Sequence, residues 1–194
     1  MDLPILDITI LAGSYLLGSL SSAIIVCKLM GLDDPREGGS GNPGATNVKR
    51  LYGNKPAAIT LAGDLLKGLI PVAILNVMGM SPALVISAGF AAFIGHLYPV
   101  FFGFKGGKGV ATMLGVMFGL SLPIGLAVAG TWLFIAKVLK ISSISALVAT
   151  LLAPLYIHFL SGEPSWVAVT MIMTIILYWR HRTNIMRLIR KEES

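Results

Sequence analysis

The stretch PALVISAGFAAFIGHLYPVFF, residues 82–102, contains no Asp, Glu, Lys or Arg over 21 positions. A helix rises about 1.5 Å per residue and the hydrocarbon core of a bilayer is about 30 Å thick, so about 20 apolar residues cross it. The stretch therefore predicts a transmembrane helix. The composition agrees, because 55% of the 194 residues are hydrophobic and only 12% are charged, about half the charged fraction of a soluble domain.

Six further apolar stretches predict additional spans, which together form an all-α polytopic membrane helix bundle in a single domain over residues 1–194. They cover residues 5–30, 56–78, 110–120, 122–138, 144–160 and 165–179. The alternative is that residues 110–138 form one long helix, interrupted near Pro123.

The positions of the basic residues choose between these alternatives. Apart from Lys67, all of them lie in residues 28–55, 105–108, 137–140 and 180–191, and the loops between these segments contain no Lys or Arg. Cytoplasmic loops are enriched in Lys and Arg, and the four segments share one side only if the chain reverses near Ser121. We therefore expect seven transmembrane helices, with the amino terminus outside and the carboxyl terminus in the cytoplasm.

Composition also bears on partners and cofactors. The net charge of +6 follows from insertion topology and from contact with anionic lipid. Aromatic residues do not interleave with the basic clusters, as a surface for nucleic acid requires. One cysteine and three scattered histidines offer neither a disulfide nor the spacing of metal ligands. We expect contact with membrane lipid, no nucleic-acid partner, and no metal or other cofactor.

The segment between the first two spans carries more polar detail than a connector needs. Residues 38–50 read GGSGNPGATNVKR. Glycine permits positive φ and close approach to a ligand, and successive N–H groups form anion-binding nests. Arg50 can grip a phosphate or carboxylate with two parallel hydrogen bonds. The segment predicts an anion site, with a flexible loop as the alternative.

A second glycine-rich segment, KGGKG at residues 105–109, opens a hydrophobic helix. The amino terminus of a helix offers unpaired N–H donors and the positive end of a dipole. The segment therefore predicts an anion cradle. The alternative is a membrane-exit loop with two snorkelling lysines, which leaves the three glycines without an explanation.

A third polar segment, RHRTNIMR at residues 180–187, follows the last span. If the helix continues through it, His181 and Asn184 share a face and Arg187 lies beside Asn184. Histidine can donate to an anion or move a proton near neutrality. Arg180 is interpreted as a topology anchor, as are Arg190 and Lys191, whereas His181 and Asn184 are candidates for function.

Two polar pairs lie near or within the spans. Asp64 and Lys67 are three residues apart in the second span, where charged groups face a partner or a wet cavity. We expect them either to pair with each other or to shape a site. Ser142 and Ser143 are expected to cap the sixth helix, with contact to a phosphate as the alternative.

Together, the three segments resemble the motifs of the PlsY family of bacterial acyl-phosphate-dependent glycerol-3-phosphate acyltransferases. The likeness rests on SGNPGATN at 40–47 with Arg50, on GH at 95–96 with PVF at 99–101 and FKGGKGVAT at 104–112, and on HR at 181–182 with NI at 184–185 and RL at 187–188. It extends over essentially the whole chain. The family pattern has glycine at the position of Lys191, which leaves open how the tail helix ends and what Glu193 does.

The resemblance implies a seven-helix enzyme of the bacterial cytoplasmic (inner) membrane with its active site on the cytoplasmic side. It implies transfer of a fatty acyl group from acyl phosphate to the 1-hydroxyl of sn-glycerol 3-phosphate, which gives lysophosphatidic acid and phosphate. Neither acyl-CoA nor acyl carrier protein is then the donor. It also implies that the second motif contributes to glycerol phosphate binding and that His181 and Asn184 are needed for activity. We expect a monomer.

The site hypothesis assigns His181 and Asn184 to catalysis, where they orient the attacking hydroxyl or hold the carbonyl oxygen. Either His181 or a substrate phosphate accepts the proton, and either glycine loop could hold either phosphate. The substrate-binding candidates are Ser40, Gly41, Asn42, Gly44, Thr46, Asn47, Arg50, Lys105, Gly106, Gly107, Lys108, Gly109 and Ser142. The supporting candidates are His96, Asp64, Lys67, Arg182 and Arg187.

Two other functions compete with an acyltransferase. An organic-phosphate transporter is favoured by the charged pair inside the second span, although the polar segments lie at one face and no inverted repeat is evident. A phosphatase with His181 as its nucleophile is the other.

Overall fold

The computed structural model describes residues 5–193, and over that range the chain is helical with no β-strand. A short 3-10 helix, Val100–Phe102, follows α5. The α-helices are α1 Ile5–Gly18, α2 Ser22–Leu29, α3 Ala45–Tyr52, α4 Asn54–Val77, α5 Pro82–Leu97, α6 Val110–Leu120, α7 Leu122–Leu139, α8 Ser142–Leu160, α9 Pro164–Arg180 and α10 Arg182–Ile189.

Four of the described helical segments are long and apolar enough to cross a membrane. They are α4, α5 together with the 3-10 helix, α7 and α8, and a fifth is added if α1 and α2 are taken as one bent span. Large apolar side chains such as Leu126, Leu133 and Phe134 of α7 are exposed. An apolar exterior of this extent is suited to lipid rather than to water. An all-helical membrane protein is thereby supported.

The first apolar stretch, residues 5–30, which the sequence predicts as one span, is broken into two helices. The axes of α1 and α2 differ by 45° across the break at residues 19–21. Ser19 turns its hydroxyl back to the carbonyl oxygen of Tyr15 at 2.9 Å, and the carbonyl oxygen of Leu20 accepts from Lys67 Nζ at 3.0 Å. The break persists because a side chain of α4 takes up a carbonyl that the helix leaves free.

The prediction of a chain reversal near Ser121 is confirmed, and one long helix over residues 110–138 is wrong. Ser121 has extended backbone angles between α6 and α7, and Pro123 stands in the first turn of α7. A Cβ added to Gly125 would lie 2.3 Å from the ring of Phe118. The two helices therefore fold back on each other as a hairpin.

Glycines bring α4 and α6 into backbone contact. A Cβ added to Gly68 would lie 2.1 Å from the carbonyl oxygen of Thr112, and one added to Gly115 would lie 2.0 Å from that of Leu65. Small residues permit such close approach between helices in membranes. This contact sets the amino end of α6 beside the turn of α4 that carries Asp64.

The core lies where α5, α6 and α9 meet. Its large fully buried side chains include Phe93, Met113, Met117, Met173 and Leu177. Leu177 belongs to the last turn of α9, one turn before His181. Packing of Leu177 in the core therefore fixes the end of α9 relative to α5 and α6.

Candidate active site

The loop between α2 and α3 is folded around one buried asparagine. Asn47 of α3 donates from Nδ2 to the carbonyl oxygens of Pro35 at 2.8 Å and Gly38 at 3.1 Å. Its Oδ1 accepts from the N–H group of Ser40 at 2.9 Å. Both ends of the amide group are thus used within the loop. The side chain of Asn47 therefore shapes the loop, and its contact with a substrate stays a prediction.

An arginine ties this loop to the segment that follows α5. Arg36 forms a salt bridge with Asp34, with Nη2 and Oδ2 2.7 Å apart, and its Nη1 donates to the carbonyl oxygen of Phe102 at 3.0 Å. The hydrogen bond from Arg36 lowers the pKa of Asp34, which keeps the carboxylate charged. Two segments that are distant in the sequence are joined in this way.

The glycine pair of the second motif lies directly against the end of α5. The N–H groups of Gly106 and Gly107 donate to the carbonyl oxygens of Leu97 and His96, each at 3.2 Å. A Cβ added to Gly106 would lie 2.0 Å from the carbonyl oxygen of His96, and one added to Gly107 would lie 2.2 Å from the Nε2 of its ring. Only glycine fits at these two positions.

The anion cradle predicted for residues 105–109 is smaller than expected. The N–H groups of Gly106 and Gly107 are already bonded within the protein, so in this structure they are not free donors for a phosphate. Lys105 is exposed and lies outside the inner cavity described below, and its contact with a substrate stays a prediction. Neither Lys108 nor Gly109 uses its N–H group in a bond within residues 5–193. These two donors begin the amino terminus of α6.

A buried ionic cluster lies next to the glycine pair. Asp64 Oδ1 is 2.9 Å from Lys67 Nζ and 3.5 Å from His96 Nδ1, and the three side chains are 4%, 4% and 6% exposed. Asp64 and His96 also line the inner cavity. Asp64 and Lys67 therefore pair with each other, as one alternative from the sequence has it, and Asp64 also lines the inner cavity.

The third motif does not continue α9 as one helix. His181 has φ −95° and ψ 7°, and it separates α9 from α10. His181 and Asn184 nevertheless both become buried, with 4% and 7% of their surface exposed, and both line the inner cavity. His181 and Asn184 therefore lie in the same place, as the sequence predicts, although α9 does not continue through them as one helix.

His181 is held in one tautomer. Its Nδ1 lies 2.9 Å from the carbonyl oxygen of Leu177, which can only accept, so Nδ1 carries the proton and Nε2 offers a lone pair. Burial is the main cause that lowers the pKa of His181, to about 4. The ring is therefore neutral near pH 7, and its Nε2 is a hydrogen-bond acceptor.

Asn184 joins the second motif to the end of the chain. Its Oδ1 accepts from Lys108 Nζ, and its Nδ2 donates to Glu193 Oε1. The other carboxylate oxygen of Glu193 forms an ion pair with Arg187 Nε at 2.8 Å. The tail after α10 thus folds back over the site, which answers the question about Glu193 that the sequence leaves open.

The backbone at Lys191 makes this return possible. Lys191 has φ +58°, in the left-handed region, and the N–H group of Glu192 donates to the carbonyl oxygen of Arg187 at 2.8 Å. This geometry is typical of a helix carboxyl terminus that glycine usually ends. It accounts for the glycine that the family pattern has at this position.

These segments enclose an inner cavity of about 470 Å³ with two chemically different parts. One part is polar and the other is an apolar wall supplied by α4, α6, α7 and α8. The polar lining includes Ser40, Asn42, Gly44, Thr46, Asn47, Arg50, Asp64, His96, Lys108, Gly109, Ser142, Ser143, His181, Asn184, Arg187 and Glu193. The apolar lining includes Leu61, Val110, Ala111, Leu114, Ala129, Trp132, Leu133 and Ala146.

The polar part concentrates positive potential. The first turns of α3, α6 and α8 all line it, and each helix presents unpaired N–H groups and a positive dipole end there. Arg50 and Lys108 add full charges. Burial, followed by the charge of Arg187, lowers the pKa of Lys108 to about 8, so it remains mainly protonated at neutral pH. The arrangement suits anions.

The serines at the start of α8 do not act as helix caps. Ile141 occupies the cap position, and no side chain there accepts from the helix. Ser142 Oγ lies 3.4 Å from Thr46 Oγ1, and Ser143 Oγ is buried without a partner among the described residues. The expected capping role is wrong, and both hydroxyls remain free to serve a ligand.

An outer groove of about 750 Å³ leads to the inner cavity. The two share Ser40, Asn42, Lys108 and Arg187. Gly41, Gly106 and Arg182 line only the outer groove, so the structure places these three candidates at the entrance. In the described part of the chain, no three His, Cys, Asp or Glu side chains are grouped as metal ligands would be.

Comparison with known proteins identifies the family. The sequence model of the family described as glycerol-3-phosphate acyltransferase matches residues 8–191. The chain belongs to the glycerol-3-phosphate acyltransferase family. The glycerol-3-phosphate acyltransferase of Hydrogenovibrio crunogenus is 75% identical over 185 residues, which are 95% of this chain and 88% of that protein. That of Thioalkalivibrio sulfidiphilus is 54% identical over 181 residues, which are 93% and 89% of the two chains.

Solved structures of the family agree with the fold. The crystal structure of PlsY (YgiH), an integral membrane glycerol 3-phosphate acyltransferase, in its glycerol 3-phosphate form has a TM-score of 0.92 and 38% identity, and covers 97% of this chain and 94% of that one. Its lysophosphatidic acid form has a TM-score of 0.88 and 37% identity, with the same coverage. These matches confirm the resemblance to the PlsY family.

Two residues of this family member that the sequence analysis did not place in the site turn out to touch it. Arg180, interpreted as a topology anchor, donates to the carbonyl oxygens of Gly106 and Gly107. Glu193 binds the catalytic candidate Asn184. In the sequence, the feature that could have indicated a role for Arg180 is its position next to His181, since a side chain next to a buried histidine lies close to the same loops.

Proposed function

We propose that this chain is a membrane-bound glycerol-3-phosphate acyltransferase that takes its acyl group from acyl phosphate. The observation that carries the proposal is one cavity in which an anion-binding part adjoins an apolar wall. Such a cavity suits a reaction between two phosphorylated reactants, one of which bears a long apolar chain. Membership of the family supports the same reaction.

The polar part of the cavity would hold the phosphate groups. Lys108 with the amino terminus of α6 offers one group of donors, and Arg50 with the amino terminus of α3 and the hydroxyls of Thr46 and Ser142 offers another. Two donor groups match two phosphates, and either group could hold either one. Charge-assisted hydrogen bonds of this kind are the stronger class in proteins.

The apolar wall would hold the beginning of the acyl chain. Ala129, Trp132 and Leu133 of α7 line the cavity opposite Leu61 of α4. Leu133 is 62% exposed, so the wall continues onto the surface that faces lipid. An acyl chain could therefore lie partly in the protein and partly in the membrane, where burial of each CH₂ group contributes about 0.8 kcal/mol.

The chemical step requires positioning more than a strong base. The 1-hydroxyl oxygen bonds to the carbonyl carbon, the bond from that carbon to the phosphate oxygen breaks, and inorganic phosphate leaves. Neutral His181 accepts a hydrogen bond from the hydroxyl through Nε2 and orients it. With a pKa of about 4, His181 is a weaker base than a phosphate dianion, whose pKa is about 6. A substrate phosphate is therefore the better final acceptor of the proton.

The cation distribution supports a seven-span topology with the amino terminus outside. The break at Ser121 and the hairpin of α6 and α7 return residues 105–108 and 137–140 to one side, as the positive-inside rule requires. α6 has 11 residues and is about 16 Å long, shorter than the helices that can cross a membrane alone, so its amino end would lie within the depth of the bilayer. The site then faces the cytoplasm at the inner membrane of a bacterium.

The whole chain would act as one domain and as a monomer. Side chains from α3, α4, α6, α8 and α10 meet in one cavity that contains both the polar part and the apolar wall, which supports a site formed within one copy of the chain. The mass of the purified protein in a detergent of known micelle size tests this point, and a dimer that is required for activity would overturn it.

The decisive experiment incubates the purified protein with radiolabelled glycerol 3-phosphate and either palmitoyl phosphate or palmitoyl-CoA. We expect lipid-soluble label with palmitoyl phosphate and none with palmitoyl-CoA, and we expect H181Q to lower the yield with palmitoyl phosphate. Product formed only from palmitoyl-CoA would overturn the assignment of the donor. Free phosphate without acylated product would indicate a phosphatase, and label that only enters proteoliposomes would indicate a transporter.

The topology needs a separate test. In a C27S background, we expect a membrane-impermeant thiol reagent to label G44C and T183C from the cytoplasmic side and S161C from the opposite side. Labelling of positions 44 and 183 from different sides would overturn the single cytoplasmic site.

A further inference from the structure

Arg180 forms side-chain hydrogen bonds to both glycines of the pair at residues 106 and 107. Its Nη2 donates to the carbonyl oxygens of Gly106 and Gly107, each at 2.9 Å, and its Nε donates to that of Gly107 at 3.2 Å. Its guanidinium carbon lies 5.5 Å from the centre of the Tyr98 ring. The planar guanidinium group of Arg180 thus lies across two consecutive peptide groups.

These bonds complete the fixation of the loop. The N–H groups of Gly106 and Gly107 are bonded to α5, and their carbonyl oxygens are bonded to Arg180. All four polar groups of the glycine pair therefore have partners in the protein. Glycine is the most flexible residue in a chain, so a loop with two of them in succession needs such contacts to hold one conformation.

The position of Arg180 in the chain gives these contacts a second effect. Arg180 is the last residue of α9 and immediately precedes His181, while Gly107 immediately precedes Lys108. A bond from Arg180 to Gly107 therefore fixes the separation between His181 and Lys108. Lys108 in turn donates to Asn184, so two contacts hold the second and third motifs in one register.

Electrostatics gives a third effect. The carbonyl oxygens of Gly106 and Gly107 carry partial negative charge within one or two residues of Lys108. Left free, they would oppose the binding of a phosphate at that end of α6. The positive charge of Arg180 on these two oxygens offsets the repulsion and leaves the donors of the loop to act on the anion.

We propose that Arg180 is a positioning residue that sets the glycine loop and His181 in register for a phosphate-bearing substrate. The proposal rests on the proposed function, because it names the residue that prepares that site. It differs from the topology-anchor interpretation in what it requires: an anchor needs only positive charge, whereas this role needs two donor nitrogens in a plane. Lysine retains the charge and cannot span both carbonyl oxygens in the same geometry.

The test compares R180K, R180Q and the control K137Q. Lys137 is exposed in the last turn of α7 and lines neither the outer groove nor the inner cavity, so K137Q removes a positive charge from one of the basic segments outside the site. Steady-state kinetics with glycerol 3-phosphate and palmitoyl phosphate give kcat and KM for each substrate. Cysteine labelling of T183C in each background reports the topology.

We expect R180K to keep the topology, to raise KM for at least one phosphate substrate and to lower kcat/KM by about tenfold or more, as loss of hydrogen bonds to a charged group implies. R180Q should lose at least as much, and K137Q should match the wild type. If R180K matches the wild type in both constants, Arg180 is only an anchor and the proposal is overturned.

The outcomes separate this proposal from the proposed function. A wild-type protein that forms no lysophosphatidic acid would overturn the function itself, before any variant is compared. If R180Q fails to fold, R180K still decides, because it keeps the charge and the apolar stem that pack beside Tyr98. A loss in R180K that came only with reversed labelling of T183C would support the anchor and overturn the positioning role.

Discussion

Lys108 and Asn184 are 76 residues apart in the sequence, yet the ammonium group of Lys108 donates a hydrogen bond to the amide oxygen of Asn184. The bond connects the glycine loop before α6 with the short helix α10. It also turns the amide of Asn184 so that its Nδ2 meets Glu193. One contact therefore links the anion-binding end of the cavity to the tail that covers it.

Lys108 should impose an alkaline limit on activity. Its pKa is lowered to about 8, chiefly by burial, so the free enzyme loses this positive charge above that pH and binds phosphate less well. We expect kcat/KM to fall by about tenfold per pH unit well above pH 8. In K108R the charge persists, because the pKa of arginine is above about 12. An unchanged alkaline limb in K108R would assign it to another group.

Removal of the His181 side chain should affect the reaction rather than the fold. In H181A the attacking hydroxyl loses the acceptor that orients it, and we expect kcat to fall about a hundredfold. H158A is the matched control, because His158 lies near the far end of α8, packed against Phe159 and outside the cavity. Near wild-type turnover in H181A, with the same pH dependence, would remove His181 from the mechanism.

The apolar wall predicts a change in acyl-chain preference. Ala129 lines the cavity on α7, and A129F would narrow the space next to Trp132. We expect kcat/KM for palmitoyl phosphate to fall about tenfold more than that for octanoyl phosphate, because steric exclusion grows with the length of chain to be held. L126F is the control, since Leu126 is on the same helix and exposed. Equal losses for both donors would place the acyl chain elsewhere.

The left-handed backbone at Lys191 predicts a stabilising substitution. In this conformation an L-residue is less stable than glycine by about 1 kcal/mol, so K191G should stabilise the tail in its folded-back position. We expect slower hydrogen exchange at the Glu192 amide, whose bond to Arg187 closes the helix end. K191V should act in the opposite direction. Faster exchange in K191G than in the wild type would show that the lysine side chain, not the backbone, governs the tail.

Much of the architecture could be predicted because it depends on local chemistry. Apolar stretches of about 20 residues mark the long helices, and the absence of Lys and Arg around Ser121 predicts the reversal that the hairpin of α6 and α7 shows. The break at residues 19–21 escaped prediction. It depends on Lys67 reaching the carbonyl oxygen of Leu20, and no local pattern contains that contact.

The candidate site, like the fold, could be predicted only in part. The three polar segments and their residue types were visible in the sequence, and most candidates line the two connected cavities. Several of their roles were not visible. The polar groups of Asn47, Gly106 and Gly107 form hydrogen bonds within the protein. Lys105 lies outside the inner cavity. A residue type limits which bonds a group can form, but not which partner lies within reach.

By itself, the sequence determined that the chain is helical and lies in a membrane. It also determined in which segments the charged residues are concentrated, and which segments are polar enough to bind anions. These properties depend on hydropathy, spacing and backbone preference, which act over a few residues. Only the tertiary structure decided that Arg180 holds the glycine loop, that Glu193 closes over Asn184, and that three helix amino termini share one cavity. Those relationships depend on how distant helices pack, and packing is set by the side chains of the whole bundle together.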